Sequence, residues 1–457
     1  MPSFPTEREM CSWIEDVVAR GVRRPGYEAD RWTEEWIHAA FVDLGLDHVR
    51  YEPVECTYWR DTNARLDLHA RDDAATVTCS AVPLSEPTTV EAPLARLERG
   101  TPELVRDRIA VYDVTMMTFP ERFPVSARPT DSAEPGSPAA GGWAYDPNDT
   151  FEGRLHVLPF APEIHDTMQP AIDAGAVGFV GVLQGYPGDC RYYVPYDGRA
   201  RPIPGVYIAE ADADRVYEAA ANNALASITV DATRDRTTTR NVVGELPGVD
   251  DEWVVVGTHH DAPWASAVED GTGLALVRAQ AQAWASVAAN ERPHRLVFVA
   301  TAAHMADGAG TRAFIAQHRD ALDDIVLEVH LEHAALDATG AGPPVDGMPV
   351  TPRWWFTSEI PPLEQIVWDA IRTHDLDRSL LMTPTALGPR PTTDGGFFHE
   401  VGVPLVNHLA APWYLFDPAD TIDKVDRRTL VALTRATFDI VAATAGTSAS
   451  KMRAAHR

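Results

Sequence analysis

The sequence predicts an α/β protein whose mostly parallel central sheet is flanked by helices and which carries a smaller, β-rich insertion. After residue 238, near-continuous apolar runs alternate with long helical stretches. Strands that helices cover on both faces are apolar along their whole length and are typically parallel. Between about 60 and 235, short β-like runs are separated by proline, glycine and aspartate, which predicts the insertion. Since 457 residues exceed what one core usually serves, we expect an N-terminal helical part (1–65), an inserted domain (66–237) and a main domain (238–457).

Apolar residues at helical spacing predict two helices within 8–46, with a break at Arg23-Arg24-Pro25-Gly26. Within the insertion, 171–183 and 202–220 combine helical and strand patterns, and 126–150 is a loop rich in proline and glycine. In the main domain the predicted strands are 254–258, 295–301, 325–332 and 404–410. The helices predicted between them include 271–289, 311–321 and 361–374.

Composition excludes several classes of partner. The formal charge is −28, from 39 basic and 67 acidic residues, which argues against binding to nucleic acid or to an anionic membrane. No apolar run is long enough to cross a bilayer, and the N-terminus lacks the apolar core of a signal peptide. The four cysteines form no Cys-x-x-Cys pair. We therefore expect a cytoplasmic protein with reduced thiols.

Ligand-type side chains cluster at the ends of the first three predicted strands and just before the fourth. They are His259, Asp261, Glu269, Asp270, His304, His330, Glu332, His333, Asp394 and His399. Each alone has a structural interpretation, since a single histidine at a strand end is more often a hydrogen-bonded structural residue than a ligand. Glu332 differs, because a buried and unpaired carboxylate is costly and needs a cation or a strong donor. Ligands of parallel sheets bind at the carboxyl ends of strands, so the pattern predicts a Zn²⁺ or Mn²⁺ site there.

Five segments together resemble the co-catalytic zinc aminopeptidase family, which includes bacterial leucyl aminopeptidase and glutamate carboxypeptidase. The segments are NVVGELPGVDDEWVVVGTHHD (241–261), AVEDGTGLALV (267–277), GAGTRAF (308–314), and TDGGFFHEVGVPLV (393–406) with DPADTIDKVD (417–426). The part around AGAVGFVGVL and IPGVYIAEADA is similar to the protease-associated domain often inserted in this family. The resemblance implies that 238–457 is a metal-hydrolase domain and is compatible with a homo-oligomer.

The resemblance implies which residues hold a first metal ion. The family's metal-binding histidine corresponds to His259, and its orienting aspartate corresponds to Asp261. The bridging carboxylate corresponds to Glu269, with Asp270 as a neighbour that could take its place. The other carboxylate ligand of this metal corresponds to Glu332. The predicted metal ligands are therefore His259, Glu269 and Glu332.

The residues specific to a second metal ion are missing. Where the family has a Glu-Glu pair of general base and ligand, this chain has His304-Met305. Where a final metal-binding histidine is expected before DPADT, the chain has Leu415 and Phe416. A thioether and an apolar side chain do not replace carboxylate and imidazole for such a cation. We therefore expect one divalent ion per chain, Mn or Zn, with His304 as a general base of near-neutral pKa.

These residues predict a metal-dependent hydrolase that cleaves a C–N bond of a small amide or arylamine with metal-activated water. One offshoot of the family, the single-metal 5-nitroanthranilate aminohydrolase type, resembles this pattern and acts on an aromatic amine. The expected catalytic residues are His304 and Asp261, and the expected substrate-binding residues are His333, Asp394, His399 and Arg390. Two alternatives remain: an aminopeptidase that rebuilds a dinuclear zinc site with replacement ligands such as His330, His333 or Asp394, and a non-catalytic, peptidase-like binding protein.

Overall fold

The computed structural model describes residues 2–69, 74–98, 101–122, 142–151, 153–338 and 349–455. Most of the predicted loop 126–150 lies outside the described residues. The strands are β1 (Asp47–His69), β2 (Ala74–Val77), β3 (Ser80–Ala81), β4 (Thr89–Arg96), β5 (Ile109–Thr115), β6 (Thr118–Pro120), β7 (Trp143–Tyr145), β8 (Leu155–Val157), β9 (Gly178–Gln184), β10 (Gly205–Ala209), β11 (Leu225–Leu246), β12 (Trp253–His259), β13 (Arg295–Thr301), β14 (Ile325–Leu331), β15 (Arg353–Thr357), β16 (Ser379–Met382) and β17 (Leu405–Leu409). The α-helices are α1 (Glu7–Val18), α2 (Glu28–Asp43), α3 (Gln169–Asp173), α4 (Ala213–Ala221), α5 (Gly273–Ala285), α6 (Ala309–Gln317), α7 (Pro361–Thr373), α8 (Gly395–Glu400), α9 (Leu430–Ala442) and α10 (Ala449–Ala454).

The central sheet of the main domain runs β11-β13-β12-β14-β17-β15-β16-β7. β13, β12, β14 and β17 are mutually parallel, whereas β11, β15 and β7 pair antiparallel with their neighbours β13, β17 and β16. Val254 and Val256 pack on the face covered by α5, and Val255 packs on the opposite face with Phe314 of α6 and Phe398 of α8. Burial on both faces explains why these strands are apolar throughout. The predicted fold class is confirmed, as are the four predicted strands.

The N-terminal helices form where the sequence predicts them. The side chain of Thr6 accepts a hydrogen bond from the backbone of Glu9, and the side chain of Glu9 bonds the backbone of Thr6, which caps α1. α1 ends at Val18 and α2 begins at Glu28, so the predicted break at 23–26 is confirmed. Gly26 lies in this break with a φ of +81°, a conformation that favours glycine.

The inserted region is joined to the main sheet by two long strands that the sequence did not indicate. β1 pairs antiparallel with β11 from Asp47–Glu245 to His69–Leu225. Much of this ribbon is exposed and polar, so it lacks the apolar run by which buried strands are predicted. Beyond it, β4, β5, β9 and β10 form a parallel sheet. The predicted domain boundaries at 65/66 and 237/238 fall inside β1 and β11, and the division stays a prediction.

Three neighbouring parallel strands end at one edge of the central sheet. β12 ends at His259, β13 ends at Thr301, and β14 ends at Leu331. Ligands of open α/β sheets bind at this edge. Within the described residues, no helix has the length and apolarity needed to span a bilayer.

Candidate metal centre

His259 is the last residue of β12 and is fully buried. Its Nδ1–H donates to the backbone carbonyl of Asp261 at 2.9 Å, because a carbonyl oxygen can only accept. The Nε2 lone pair therefore faces the site, 3.6 Å from Oε1 of Glu269. Burial, followed by the charge of nearby His304, lowers the pKa of His259 to about 3, so the ring is neutral and able to ligate a cation.

A second imidazole has the same arrangement. His333 follows β14, and its Nδ1–H donates to the carbonyl of Ala410 at 2.7 Å. Its Nε2 lies 2.8 Å from Oε2 of Glu269 and 3.9 Å from Oε2 of Glu332. Burial opposes protonation, but Glu269 and then Glu332 raise the pKa of His333 to about 10. The negative charge here thus favours a cation beside His333, either a proton or a metal ion.

The atoms that face one another are buried and make no well-aligned hydrogen bond, although Nε2 of His333 lies 2.8 Å from Glu269 and Oε1 of Glu332 lies 3.0 Å from His330. They are Nε2 of His259, Nε2 of His333, both carboxylate oxygens of Glu269, and Oε1 of Glu332. The donor atoms of His259, Glu269 and His333 lie within 4.8 Å of one another. Leaving such groups unsatisfied is costly, whereas two imidazoles and a carboxylate are a common ligand set for Zn²⁺. The residues therefore fit a divalent cation. His333, which we expected to bind substrate, is in this converging group, whereas the predicted ligand Glu332 lies beside it.

Glu269, rather than Asp270, directs its carboxylate into this cluster. Asp270 accepts hydrogen bonds from the hydroxyl of Thr258 and from the backbone N–H of Gly273 and His333, so its carboxylate is already engaged. Two hydrogen bonds also fix the backbone of Glu269. Its N–H donates to Oδ2 of Asp420, and its carbonyl accepts from Nη2 of Arg23, which is fully buried.

His330 of β14 positions the carboxylate of Glu332, and Glu328 in turn positions His330. Nε2 of His330 lies 3.0 Å from Oε1 of Glu332, and Nδ1 of His330 lies 2.9 Å from Oε1 of Glu328. Alternate residues of a strand face the same side, so the three side chains form one row. Gly257 of β12 leaves room for this row, because a Cβ there would lie 3.2 Å from both Glu328 and His330.

This row predicts that His330 tunes metal affinity without ligating the metal. In the His330→Gln variant, we expect the Kd for Zn²⁺ to rise roughly 10- to 100-fold, the effect typical of residues that orient a ligand. Competition with a chromophoric chelator measures the Kd. His294→Gln is the matched control, because His294 is also buried and paired with a carboxylate, Asp250, far from the cluster. An unchanged Kd in His330→Gln would remove His330 from this role.

His304 lies beside the cluster, where the sequence predicts the general base. Its Nδ1 is 2.8 Å from Oδ1 of Asp394, whose other oxygen accepts from the hydroxyls of Thr301 and Thr311. Nε2 of His304 lies 3.9 Å from Oε1 of Glu269. Asp394 is fully buried behind His304. We expected it to bind substrate, but it does not line the pocket that opens onto the cluster.

Asp261, expected to be catalytic, supports the backbone of this segment. Its two carboxylate oxygens accept from the N–H groups of His304 and Met305, at 2.9 and 2.8 Å. Burial opposes protonation of the His304 ring, but Asp394 and then Glu269 raise its pKa to about 10. The near-neutral pKa expected from the sequence therefore requires a cation beside the ring. A cation bound beside the ring would repel its proton and lower this pKa.

A narrow cavity of about 30 Å³, enough room for a water molecule, opens onto the cluster. Glu269, His304, Glu332 and His333 lie at its polar end. The other lining residues are mostly aromatic or aliphatic: Pro159, Phe160, Tyr196, Trp354, Phe356, Leu387, Thr392, Thr393, Leu409, Ala411, Leu415 and Phe416. The pocket therefore combines one polar end with an apolar wall.

Besides Asp394, two further predicted substrate-binding residues do not line this cavity. Arg390 pairs with Glu400 at 2.9 Å and stacks over Phe397. His399 is half-buried on α8. Both come close in sequence to lining residues, but neither side chain lines the cavity.

Sequence reasoning missed the wall that the insertion supplies, formed by Pro159, Phe160 and Tyr196. The only signal in the sequence is the aromatic cluster YYVPY at 192–196. Nothing in its spacing indicates contact with residues more than 100 positions later in the chain. Tertiary structure alone brings it to the metal centre.

Two other groups in the described part of the chain have metal-ligand residue types. One is Asp30, Glu34 and His260, and the other is Asp250, Glu252 and His294. In the first, Nε2 of His260 bonds the carbonyl of Arg240, and both carboxylates accept from protein donors. In the second, both ring nitrogens of His294 are engaged. Their donor atoms stabilise the fold.

No protein-family model and no curated protein matches the sequence. Solved structures do match over nearly the full length. A peptidase M28 precursor from Shewanella amazonensis SB2B aligns at 20% identity over 96% of this chain and 93% of that chain, with a TM-score of 0.69. BSAP, a zinc aminopeptidase from Bacillus subtilis, aligns at 16% identity over 100% of both chains, with a TM-score of 0.67. An aminopeptidase from Aneurinibacillus sp. strain AM-1 aligns at 16% identity over 95% and 92%, with a TM-score of 0.63.

The chain therefore has the fold of the zinc aminopeptidases. The predicted resemblance is confirmed at this level. Identities of 20% and below establish the fold alone, and the chemistry has to be argued from the site itself.

Proposed function

We propose that the chain is a metal-dependent hydrolase that cleaves a C–N bond of a small amide or arylamine at a mononuclear site. The observation that carries this proposal is the pair of buried imidazoles, His259 and His333, whose Nδ1–H groups are fixed by carbonyls and whose Nε2 atoms face Glu269. When bound there, a divalent ion acidifies water and polarises the electrophilic centre. Imidazole and carboxylate donors suit Zn²⁺ or Mn²⁺.

A single ion is favoured by how the remaining polar residues are used. His330 is committed to Glu328 and Glu332, and Asp394 is committed to His304 and two threonines. His330 and Asp394 are therefore not available to rebuild a second site, and in this proposal His333 serves the single ion. Leu415 and Phe416 line the pocket with apolar groups where the family resemblance calls for a ligand.

His304 and Asp394 form the proton-transfer pair of this proposal. Asp394 holds Nδ1, so Nε2 of His304 faces the polar end of the pocket. Nε2 accepts the proton of the attacking water and returns it to the leaving nitrogen, which conserves protons over the cycle. Glu269 and Glu332 stay ionised as ligands, because the pKa of each is lowered by neighbouring histidines that outweigh burial.

The apolar wall favours a small aromatic or apolar substrate over a peptide with a free ammonium group. Apart from the proposed metal ligands, the lining residues include no carboxylate that could hold such a group. The second candidate function is an aminopeptidase, because the similar structures include enzymes described as aminopeptidases. The third is a metal-free, peptidase-like binding protein.

Metal content and a substrate panel test these candidates together. We expect one equivalent of Zn or Mn per chain by elemental analysis, and turnover of small anilides, amides or arylamines. Two equivalents with cleavage of aminoacyl-p-nitroanilides would establish the aminopeptidase instead. Binding of no metal under any loading condition would refute the proposal and favour a binding protein.

Further expectations concern the surroundings of the enzyme. We propose a cytoplasmic location, a small-molecule substrate, and no nucleic-acid or membrane partner, since the strong negative charge disfavours polyanions. A homo-oligomer is compatible with the fold, and light scattering on the purified chain measures the mass.

A further inference from the structure

Four aromatic rings form a continuous column from the pocket wall to the metal centre. Phe416 stacks on Tyr196 with ring centroids 5.0 Å apart and an interplanar angle of 27°. Tyr196 stacks on His304 at 5.4 Å and 24°, and His304 stacks on His259 at 4.0 Å and 10°. Three of these residues belong to the main domain, whereas Tyr196 belongs to the insertion.

Tyr196 is held firmly in this column. It is 5% exposed, and its backbone carbonyl accepts from the N–H of Asp307 at 3.0 Å. Nearby, the N–H of Tyr193 donates to the carbonyl of Phe416 at 3.0 Å. The edge of His165 packs against the Tyr196 ring at 4.8 Å. The segment 193–196 is thus attached both to the loop after β13 and to the segment that carries Phe416.

The two rings stacked on His304 restrict how far its imidazole can tilt. The hydrogen bond from Nδ1 to Asp394 fixes one edge of the ring, but the ring can still tilt about that bond. His259 covers one face at 4.0 Å and Tyr196 covers the other. Together they keep Nε2 directed at the polar end of the pocket.

We propose that Tyr196 is a positioning residue for the general base: its ring holds the imidazole of His304 against His259, so that the inserted domain completes the catalytic site. This proposal rests on the proposed function for its catalytic consequence. The stacking itself does not depend on the identity of the substrate. Tyr196 acts through His304 and takes no proton in the reaction.

Two substitutions separate the ring from its hydroxyl. Tyr196→Phe keeps the stack, and we expect its kcat to stay within about 2-fold of wild type. Tyr196→Leu removes the flat surface, and we expect kcat to fall roughly 10- to 100-fold, the loss typical when a catalytic group is misplaced by about 1 Å. Metal content should be unchanged in both variants. If Tyr196→Phe lowers kcat as much as Tyr196→Leu, the hydroxyl is responsible and the proposal is wrong.

A double-mutant cycle tests whether Tyr196 acts through His304. In a His304→Ala background, Tyr196→Leu should lower kcat no further. An equal loss in both backgrounds would overturn the proposal. Tyr217→Leu is the matched control, since Tyr217 is a partly buried tyrosine of the insertion that bonds Asp113 away from the pocket. Its kcat should match that of wild type.

A readout without substrate distinguishes failure of this proposal from failure of the proposed function. In protein with isotope-labelled histidine, the ring signals of His304 are identified by their loss in His304→Ala. We expect Tyr196→Phe to retain their ring-current shift and Tyr196→Leu to lose it and broaden them. This result without turnover of any C–N substrate would overturn the function but keep the positioning role. Unaltered His304 signals in a folded Tyr196→Leu protein would overturn the positioning role.

Discussion

Replacement of His259 by alanine is expected to abolish stoichiometric metal binding. His259 supplies a neutral, buried Nε2 that faces Glu269 and makes no hydrogen bond in the described structure. Loss of a residue that only orients a ligand typically lowers metal affinity about 10- to 100-fold. Loss of a direct ligand should therefore raise the Kd by more than about 100-fold. Elemental analysis after dialysis and a chelator-competition titration measure the effect.

His260→Gln is the control for this variant because it changes the neighbouring buried histidine. The His260 ring lies on the other side of the strand, 2.9 Å from Asp30 and bonded to the carbonyl of Arg240. We expect His260→Gln to lose some stability but to retain one ion per folded chain. The opposite pattern, with metal retained in His259→Ala and lost in His260→Gln, would move the site to Asp30, Glu34 and His260 and refute the assignment.

His304→Ala is expected to keep its metal ion and lose most of its turnover. Loss of a general base typically lowers kcat about 10²- to 10⁴-fold. The ring is held by Asp394 and stacked on His259, and it is not part of the group whose donor atoms converge within 4.8 Å. Steady-state kinetics on a substrate identified by the panel, with metal content measured on the same preparation, checks both parts.

Two outcomes would contradict this role for His304. An unchanged kcat would remove it from proton transfer. Loss of metal together with activity would make it a ligand rather than a base. Asp394→Asn is a useful companion, because it keeps the shape of the partner of Nδ1 but removes the charge that raises the pKa of His304. We expect a smaller loss of kcat in Asp394→Asn, with metal content retained.

The strands of the central sheet could be predicted closely because each one is marked by apolar residues within its own short segment. Val254, Val255 and Val256 are all fully buried, and a strand covered on both faces must be apolar at every position. The ribbon of β1 and β11 could not be predicted in this way. Its strands are stabilised by pairing with each other along more than 20 residues, and much of their surface meets solvent, so no apolar pattern indicates them.

The residues of the candidate site were predicted in part, because their positions at strand ends can be inferred from the sequence. Residues that follow parallel strands meet at one edge of the sheet, so the sequence pointed to His259, Glu269, His304 and Glu332. The sequence assigned His333 and Asp394 to substrate. The structure instead places His333 among the proposed ligands and Asp394 behind His304. Such roles depend on side-chain direction, which spacing along the chain does not specify.

The sequence by itself determined the fold class, the edge of the sheet where polar side chains gather, and the loss of ligand-type residues at Met305 and Phe416. Only the tertiary structure decided which donor atoms converge, that Glu269 rather than Asp270 enters the cluster, and that Tyr196 of the insertion stacks on His304. The physical reason is that the pattern of buried and exposed positions in a strand or helix can be recognised within a short segment of sequence. Convergence of side chains at a site instead depends on distances between residues that are far apart in sequence.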